Sequence, residues 1–106
     1  MELRLSIRSL DPNVRIEIPN GEIAKGITIK QELNLKEILN PPLDFVVNIA
    51  EYYVLPVAAT LTANYLYDKL KGRKDKPITI NEEQVEINAE NIEQLIIINL
   101  KKKKDE

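Results

Sequence analysis

The chemistry open to this chain depends on carboxylates, hydroxyls, amides and cationic side chains, because it contains no histidine and no cysteine. It therefore lacks the commonest general base, the thiol nucleophile and the usual ligands of transition metals. The serines, Ser6 and Ser9, have no imidazole to activate them, which excludes a Ser-His-Asp triad. The 3 glycines are too far apart for a phosphate-binding loop. We therefore predict a protein that is not an enzyme and that uses no cofactor.

Two pairs of residues are the remaining candidates for acid-base or metal chemistry. Glu51 follows Asn48 at a spacing that would place a carboxylate and an amide on one stripe of a helix. Glu82 and Glu83 are adjacent, and carboxylate oxygens can hold a hard cation without histidine or cysteine. A solvated surface explains both pairs more simply, so no catalytic or metal-binding residue is predicted.

Basic residues are candidates for contacts with phosphate. Arg4, Arg8 and Arg15 would share the solvent face of a predicted hairpin, and the lysines of 101–104 lie at the end of a predicted helix. The formal charge of −2 argues against a general nucleic-acid coat. No aromatic residue is interleaved with the arginines, so a stacking platform for single strands is not supported either. Nucleic-acid binding through the arginine face or the lysines is the alternative function that we keep open.

Strands are indicated by the alternation of apolar and polar residues. The pattern predicts an N-terminal three-stranded antiparallel meander at 3–10, 14–18 and 23–30, joined by turns at Asp11-Pro12-Asn13 and Pro19-Asn20-Gly21. Gly26 is expected to mark a bulge or a bend. A second hairpin is predicted over 76–88, with residues 81–84 as its connecting loop.

Helices account for most of the remaining chain. Residues 43–71 contain no glycine and one proline, and they predict a long central helix with a kink at Pro56 and a cap at Gly72. Residues 31–42 are ambiguous and could hold a short helix. The C-terminal helix should begin after Asn88 as N-cap and bury one stripe of apolar residues, Ile92, Leu95, Ile96 and Leu100. The expected fold is α+β, a mainly antiparallel sheet packed against these helices in one domain, 1–106.

The long helix is predicted to be apolar around most of its circumference, so one small sheet could not cover it. Either the rest of the chain or a second subunit must cover the remainder, and we expect a homo-oligomer. The candidate interface consists of Phe45, Ile49, Tyr52, Tyr53, Val57, Leu61 and Tyr65. The tyrosines could instead line a ligand pocket, but packing in the core or in the interface, with bonded hydroxyls, explains them more simply. Polar residues inside the apolar stretch argue against a membrane span.

The C-terminal half has an order of segments that is similar to a known family. A helix ends in KLKGRKDK, a hairpin follows with PITINEEQVEIN, and a helix follows with AENIEQLIIINL. Over residues 43–100 this order resembles the small effector-associated constant component adaptors of bacterial conflict systems. That family is expected to have a helix soon after its first strand, and the predicted meander departs from it there. The resemblance implies a protein-binding adaptor and assigns no catalytic residue.

The predicted function is a non-enzymatic protein-interaction or adaptor module that self-associates through helix 43–71. A separate protein partner is compatible with this function, whereas nucleic acid and membrane are not expected as partners. The first residues, Met1-Glu2-Leu3-Arg4, do not have the pattern of a secretory signal. We therefore expect a cytoplasmic location.

Overall fold

The fold is α+β, as predicted, with strands and helices that differ from several of the predicted bounds. The structure, a computed structural model, describes residues 1–10, 16–32, 43–73 and 78–104. A short 3-10 turn, Lys71–Arg73, follows the first helix. In chain order the other elements are β1 (Glu2–Ser9), β2 (Gly21–Ala24), β3 (Ile27–Glu32), β4 (Leu43–Ile49), α1 (Leu55–Leu70), β5 (Ile78–Ile80), β6 (Glu83–Val85) and α2 (Ala89–Lys104).

The strands form one antiparallel sheet in the order β2-β3-β4-β1-β5-β6. β1 lies near its centre, with Leu5 opposite Phe45 of β4 and Ile7 opposite Ile80 of β5. Both edges of β1 are thus occupied by strands that come much later in the chain. The predicted hairpin between 3–10 and 14–18 is wrong over the residues that the structure describes, because 16–18 form no strand and β1 pairs with β4 and β5 instead.

The segment 16–20 keeps the predicted alternation without joining the sheet. Ile16 and Ile18 are buried and Glu17 is exposed, but no strand is formed there. Asn20 instead accepts a hydrogen bond from the Gln31 N–H on β3, at 2.7 Å. The apolar side chains therefore enter the core from an extended segment rather than from a strand. The predicted turn at 11–13 and the ambiguous residues 33–42 lie outside the described residues.

The predicted helix 43–71 is wrong in its first part, because residues 43–49 form β4 and the helix begins at Leu55. β4 lies between β1 and β3, and the branched side chains of Val46, Val47 and Ile49 favour a strand in that position. Pro56 lies in the first turn of α1, where its missing N–H costs no helical hydrogen bond, and so it does not kink the helix. Gly72 is not the cap, since α1 ends at a right-handed Lys71.

Both helices pack on one face of the sheet. The inward side chains of the strands belong to the same core as those of α1 and α2. α1 contributes mainly small residues, Ala58, Ala59 and Ala63, together with Leu66 and Leu70. In the first turn of α1, Leu55 packs against this core, whereas Pro56 and Val57 are exposed.

The C-terminal elements agree well with their prediction. The hairpin is tighter than predicted, with strands at β5 and β6 and a two-residue turn at Asn81 and Glu82. Both turn residues have positive φ, 51° and 72°, which is the geometry of a type I′ turn. Asn88 accepts a hydrogen bond from the Asn91 N–H at 2.8 Å and so caps α2 as predicted. The predicted apolar stripe of α2 is buried.

Candidate interaction surface

The seven candidate interface residues do not lie on one helix. Phe45 and Ile49 are on β4 and are 1% and 4% exposed, because they pack in the core beneath the helices. They are not available to a second molecule in this fold. The other five follow β4 in the chain: Tyr52, Tyr53, Val57, Leu61 and Tyr65.

Three of these five are tyrosines whose hydroxyls bind the backbone of residues 19–25. Tyr52 and Tyr53 both donate to the carbonyl oxygen of Lys25, at 3.1 and 2.5 Å, and their rings stack at 5.0 Å. Tyr65 donates to the carbonyl oxygen of Pro19 at 3.1 Å. The three hydroxyls therefore connect α1 and the turn before it to the backbone on either side of β2. For Tyr53 and Tyr65, which are partly buried, this is the alternative of packing with bonded hydroxyls.

The residues between β4 and the first turn of α1 expose apolar side chains. Tyr52 is 69% exposed, Val54 63% and Val57 47%, and Pro56 is exposed between them. We call these four residues the junction surface. The described chain exposes 6 large hydrophobic residues, and half of them lie within this short segment. Leu61, further along α1, is half-buried and packs against the core.

The start of α1 lacks the polar and charged groups that usually stabilise a helix N-terminus. Val54 is the N-cap of α1 in an extended conformation and makes no side-chain capping bond. The first turn contains no acidic residue, although an acid there would favour the positive end of the helix. No charged residue occurs anywhere in 52–67. The helix start is thus neither capped nor charged in the way that a solvated helix start usually is.

The arginine face is located on the side of the sheet away from the helices. Arg4 forms ion pairs with Glu2 at 3.0 Å and with Glu32 at 2.8 Å. Because Glu32 is on β3, its contact with Arg4 spans β4, which lies between the two strands. Val46, the β4 residue opposite Arg4, is only 8% exposed. Arg4 is therefore occupied by carboxylates, which does not favour phosphate binding.

The other basic residues give little support to nucleic-acid binding. Arg8 is partly buried and has a bonding or charged partner within the fold. Arg15 lies outside the described residues. Lys101 and Lys102 are exposed on α2, and the side chains of the two following lysines lie outside the description. Nucleic-acid binding remains a prediction.

A cleft of about 230 Å³ lies on the open face of the sheet. It is lined in part by Arg4, Glu32 and Asn81. Asn81 uses its amide on the backbone of β1, with Oδ1 accepting from the Ser6 N–H at 2.8 Å. Together with the Arg4–Glu32 ion pair, this contact shows that polar groups of the cleft stabilise the sheet.

The two candidate pairs for acid-base or metal chemistry do not form a catalytic or metal-binding centre among the described residues. Asn48 is on the open face of β4 and Glu51 is in the turn beyond it, so the helix stripe that would join them does not exist. Glu82 is in the hairpin turn and Glu83 begins β6. Within the described ranges, no group of three or more acidic residues could hold a metal ion. In the same ranges, neither helix has the length and apolar character needed to cross a bilayer.

Comparison with known proteins returned no match: neither a family model, nor a curated protein, nor a solved structure aligns significantly with this chain. The resemblance to conflict-system adaptors therefore stays a prediction.

Proposed function

We propose that this protein is a non-enzymatic protein-interaction module that associates with a second copy of itself through the junction surface. The observation that carries the proposal is the exposure of Tyr52, Val54 and Val57 within one short segment. Burying such side chains against a partner removes apolar area from water, which is the main favourable term in association. Tyrosine is also enriched among the residues that dominate binding energy.

A second copy is the partner that the charge pattern favours. In a two-fold dimer each residue near the axis meets the same residue of the other copy, so a charge there would face its like. The run without charge from 52 to 67 avoids that repulsion. Glu51 precedes it and Lys25 lies beside Tyr52, so both signs of charge are present at the rim.

The size of the junction surface sets the expected strength. A standard interface buries about 800 Å² on each partner, which four side chains do not supply by themselves. Apolar patches of about 300–600 Å² are common as the largest patch of a monomer and are often functional. We therefore expect a weak, reversible dimer. Its remaining surface would be free for another protein, as an adaptor requires.

The edges of the sheet do not offer a better route to association. β2 has four residues and an irregular register at Glu22 and Ala24, and β6 has three residues. Short, irregular or charged edge strands are devices that prevent pairing with another sheet. Association through side chains at the junction surface is thus favoured over addition of a strand.

Sedimentation equilibrium over a range of protein concentrations tests the proposal. The wild type should show a concentration-dependent mass above 12.2 kDa. Val57→Asp should return it to the monomer, because the new carboxylate would be buried against its own copy. Ile98→Asp is the matched control, since Ile98 is 48% exposed on α2 and lies outside the junction surface. A wild type that stays monomeric, or an equal effect of both variants, would reject the proposal.

A further inference from the structure

We propose that Tyr52 is a preorganised anchor of the junction surface and that Gly26 is the residue that positions it. This inference rests on the self-association proposed above. Gly26 lies in the turn between β2 and β3, far from Tyr52 in the sequence.

Tyr52 combines high exposure with fixed geometry. Its side chain is 69% exposed, yet its hydroxyl donates to the Lys25 carbonyl oxygen at 3.1 Å. Its ring also stacks on the ring of Tyr53, with 29° between the planes. Exposed side chains usually move among rotamers within nanoseconds. Tyr52 is instead held by a contact at its tip and a contact at its face.

Gly26 provides the space in which the Tyr52 ring lies. A Cβ at position 26 would overlap the Tyr52 hydroxyl and would lie 3.0 Å from Cζ of the ring and 3.1 Å from Cβ of Ala50. Gly26 has a φ of +86°, which other residues rarely adopt. Its carbonyl oxygen accepts a hydrogen bond from the Ala50 N–H at 2.8 Å, which fixes the turn to the end of β4. Any side chain at 26 would therefore displace the ring.

Preorganisation matters because a partner otherwise has to order the side chain that it contacts. Holding a side chain in place in advance corresponds to up to about a 10-fold tighter Kd for the most flexible side chains, and to about 2-fold at the low end, where a tyrosine belongs. A tyrosine has few rotatable bonds and a large amphipathic face, which makes it an efficient rigid contact. The turn at Lys25 and Gly26 thus acts on the association through Tyr52, without needing a contact to the partner itself.

The experiment is a double-mutant cycle on the full chain, with dimer Kd from sedimentation equilibrium. Tyr52→Ala should raise Kd by about 30-fold or more, and Tyr52→Phe, which keeps the ring and loses the bond that holds it in place, by about 2-fold. Gly26→Ala should weaken the dimer in the wild-type background and have no further effect in the Tyr52→Ala background. Gly21→Ala is the matched glycine control, because open space surrounds its Cβ.

The outcomes separate the two proposals. If Val57→Asp abolishes the dimer while the Tyr52 and Gly26 variants leave Kd unchanged, self-association stands and the anchor is rejected. If the wild type is monomeric, both proposals fall. Additive effects of Gly26→Ala in the two backgrounds would also reject the positioning role. Circular dichroism confirms that each variant is folded, and a nuclear Overhauser contact between the Tyr52 ring and Gly26 should disappear in Gly26→Ala.

Discussion

The side chain of Asn81 continues strand β5 along Ser6 of β1. The Asn81 N–H donates to the Ser6 carbonyl oxygen at 2.8 Å, and the Ser6 N–H donates to Asn81 Oδ1, also at 2.8 Å. The amide Nδ2 of Asn81 adds a longer bond to the Arg4 carbonyl oxygen, at 3.4 Å. The backbone N–H of Asn81 therefore extends the pairing of β5 by one bond, and its side-chain amide supplies two further partners for the backbone of β1 while the chain turns.

This arrangement predicts opposite effects for two glycine substitutions in one turn. Asn81→Gly keeps the positive φ and removes the side-chain bonds, so it should destabilise the protein by about 1–2 kcal/mol. Glu82→Gly is the matched control, because Glu82 has a φ of 72° and makes no bond of this kind. It should stabilise the fold by about 1 kcal/mol through relief of backbone strain. Urea denaturation measures both, and a loss of stability in Glu82→Gly would contradict this account.

A second prediction concerns the buried hydroxyl of Thr62. Thr62 is fully buried on α1, and its Oγ1 has no hydrogen-bond partner among the residues that the structure describes. An unsatisfied buried polar group costs about 1–3 kcal/mol. Thr62→Val replaces the hydroxyl by a methyl group of similar size and should stabilise the protein by about 1 kcal/mol.

Thr60→Val is the control for that substitution. The hydroxyl of Thr60 donates to the Glu93 carboxylate on α2 at 2.6 Å. Losing this bond should cost about 0.5–1.5 kcal/mol. The two valine variants should therefore shift the midpoint of urea denaturation in opposite directions with an unchanged slope. Destabilisation by Thr62→Val would show that its hydroxyl is satisfied in solution.

The third prediction is a dependence on pH at the end of α1. Asp68 and Lys71 form an exposed ion pair at 2.9 Å. The hydrogen bond from Lys71, and then its charge, lowers the pKa of Asp68 below its ordinary value of 3.8. The hydrogen bond and charge of Asp68 in turn raise the pKa of Lys71 above 10.5. Both shifts mean that the charged forms are favoured in the folded protein.

The signs define a window of pH. A lowered carboxyl pKa contributes stability that is present above 3.8 and is lost as the pH falls through the folded pKa. A raised lysine pKa contributes stability that is present below 10.5 and is lost as the pH rises through the folded pKa. The stability difference between wild type and Asp68→Asn should therefore be constant near neutrality and shrink towards both extremes. It should also shrink at about 1 M salt, and insensitivity to salt would contradict an electrostatic origin.

Local signals explain which parts of the fold could be predicted. Asn88 caps α2 through a residue three positions away, and the β5–β6 hairpin closes over two residues, so short-range chemistry determines both. The prediction of a helix over 43–71 rests on the lack of glycine and on the single proline, and neither separates β4 from α1. The apolar run of β4 also lacks a clear alternation, because the apolar Val46 lies on the open face of the sheet. Only the pairing on both sides of β4 makes that run a strand. Pro56 indicates where the helix begins, because proline is favoured in the first turn of a helix.

The exposure of the candidate residues could be predicted only in part, for the same reason. Tyr52 and Val57 are exposed as an interface residue must be, whereas Phe45 and Ile49 are buried because they belong to β4. The dependence of Tyr52 on Gly26 joins positions far apart in the chain. A glycine inside an apparent strand indicates a turn or a close approach, but it does not identify the side chain that approaches.

The central position of β1 has a consequence for the order in which the protein can form during synthesis. β1 is translated first, yet Ser6 and its partner Asn81 are 75 positions apart. At about 5–20 residues per second, the nascent strand waits on the order of 4–15 s for that partner. Throughout this interval its apolar face has no finished sheet to enter. A ribosome that pauses before β5 emerges would therefore prolong the time in which this segment depends on a chaperone.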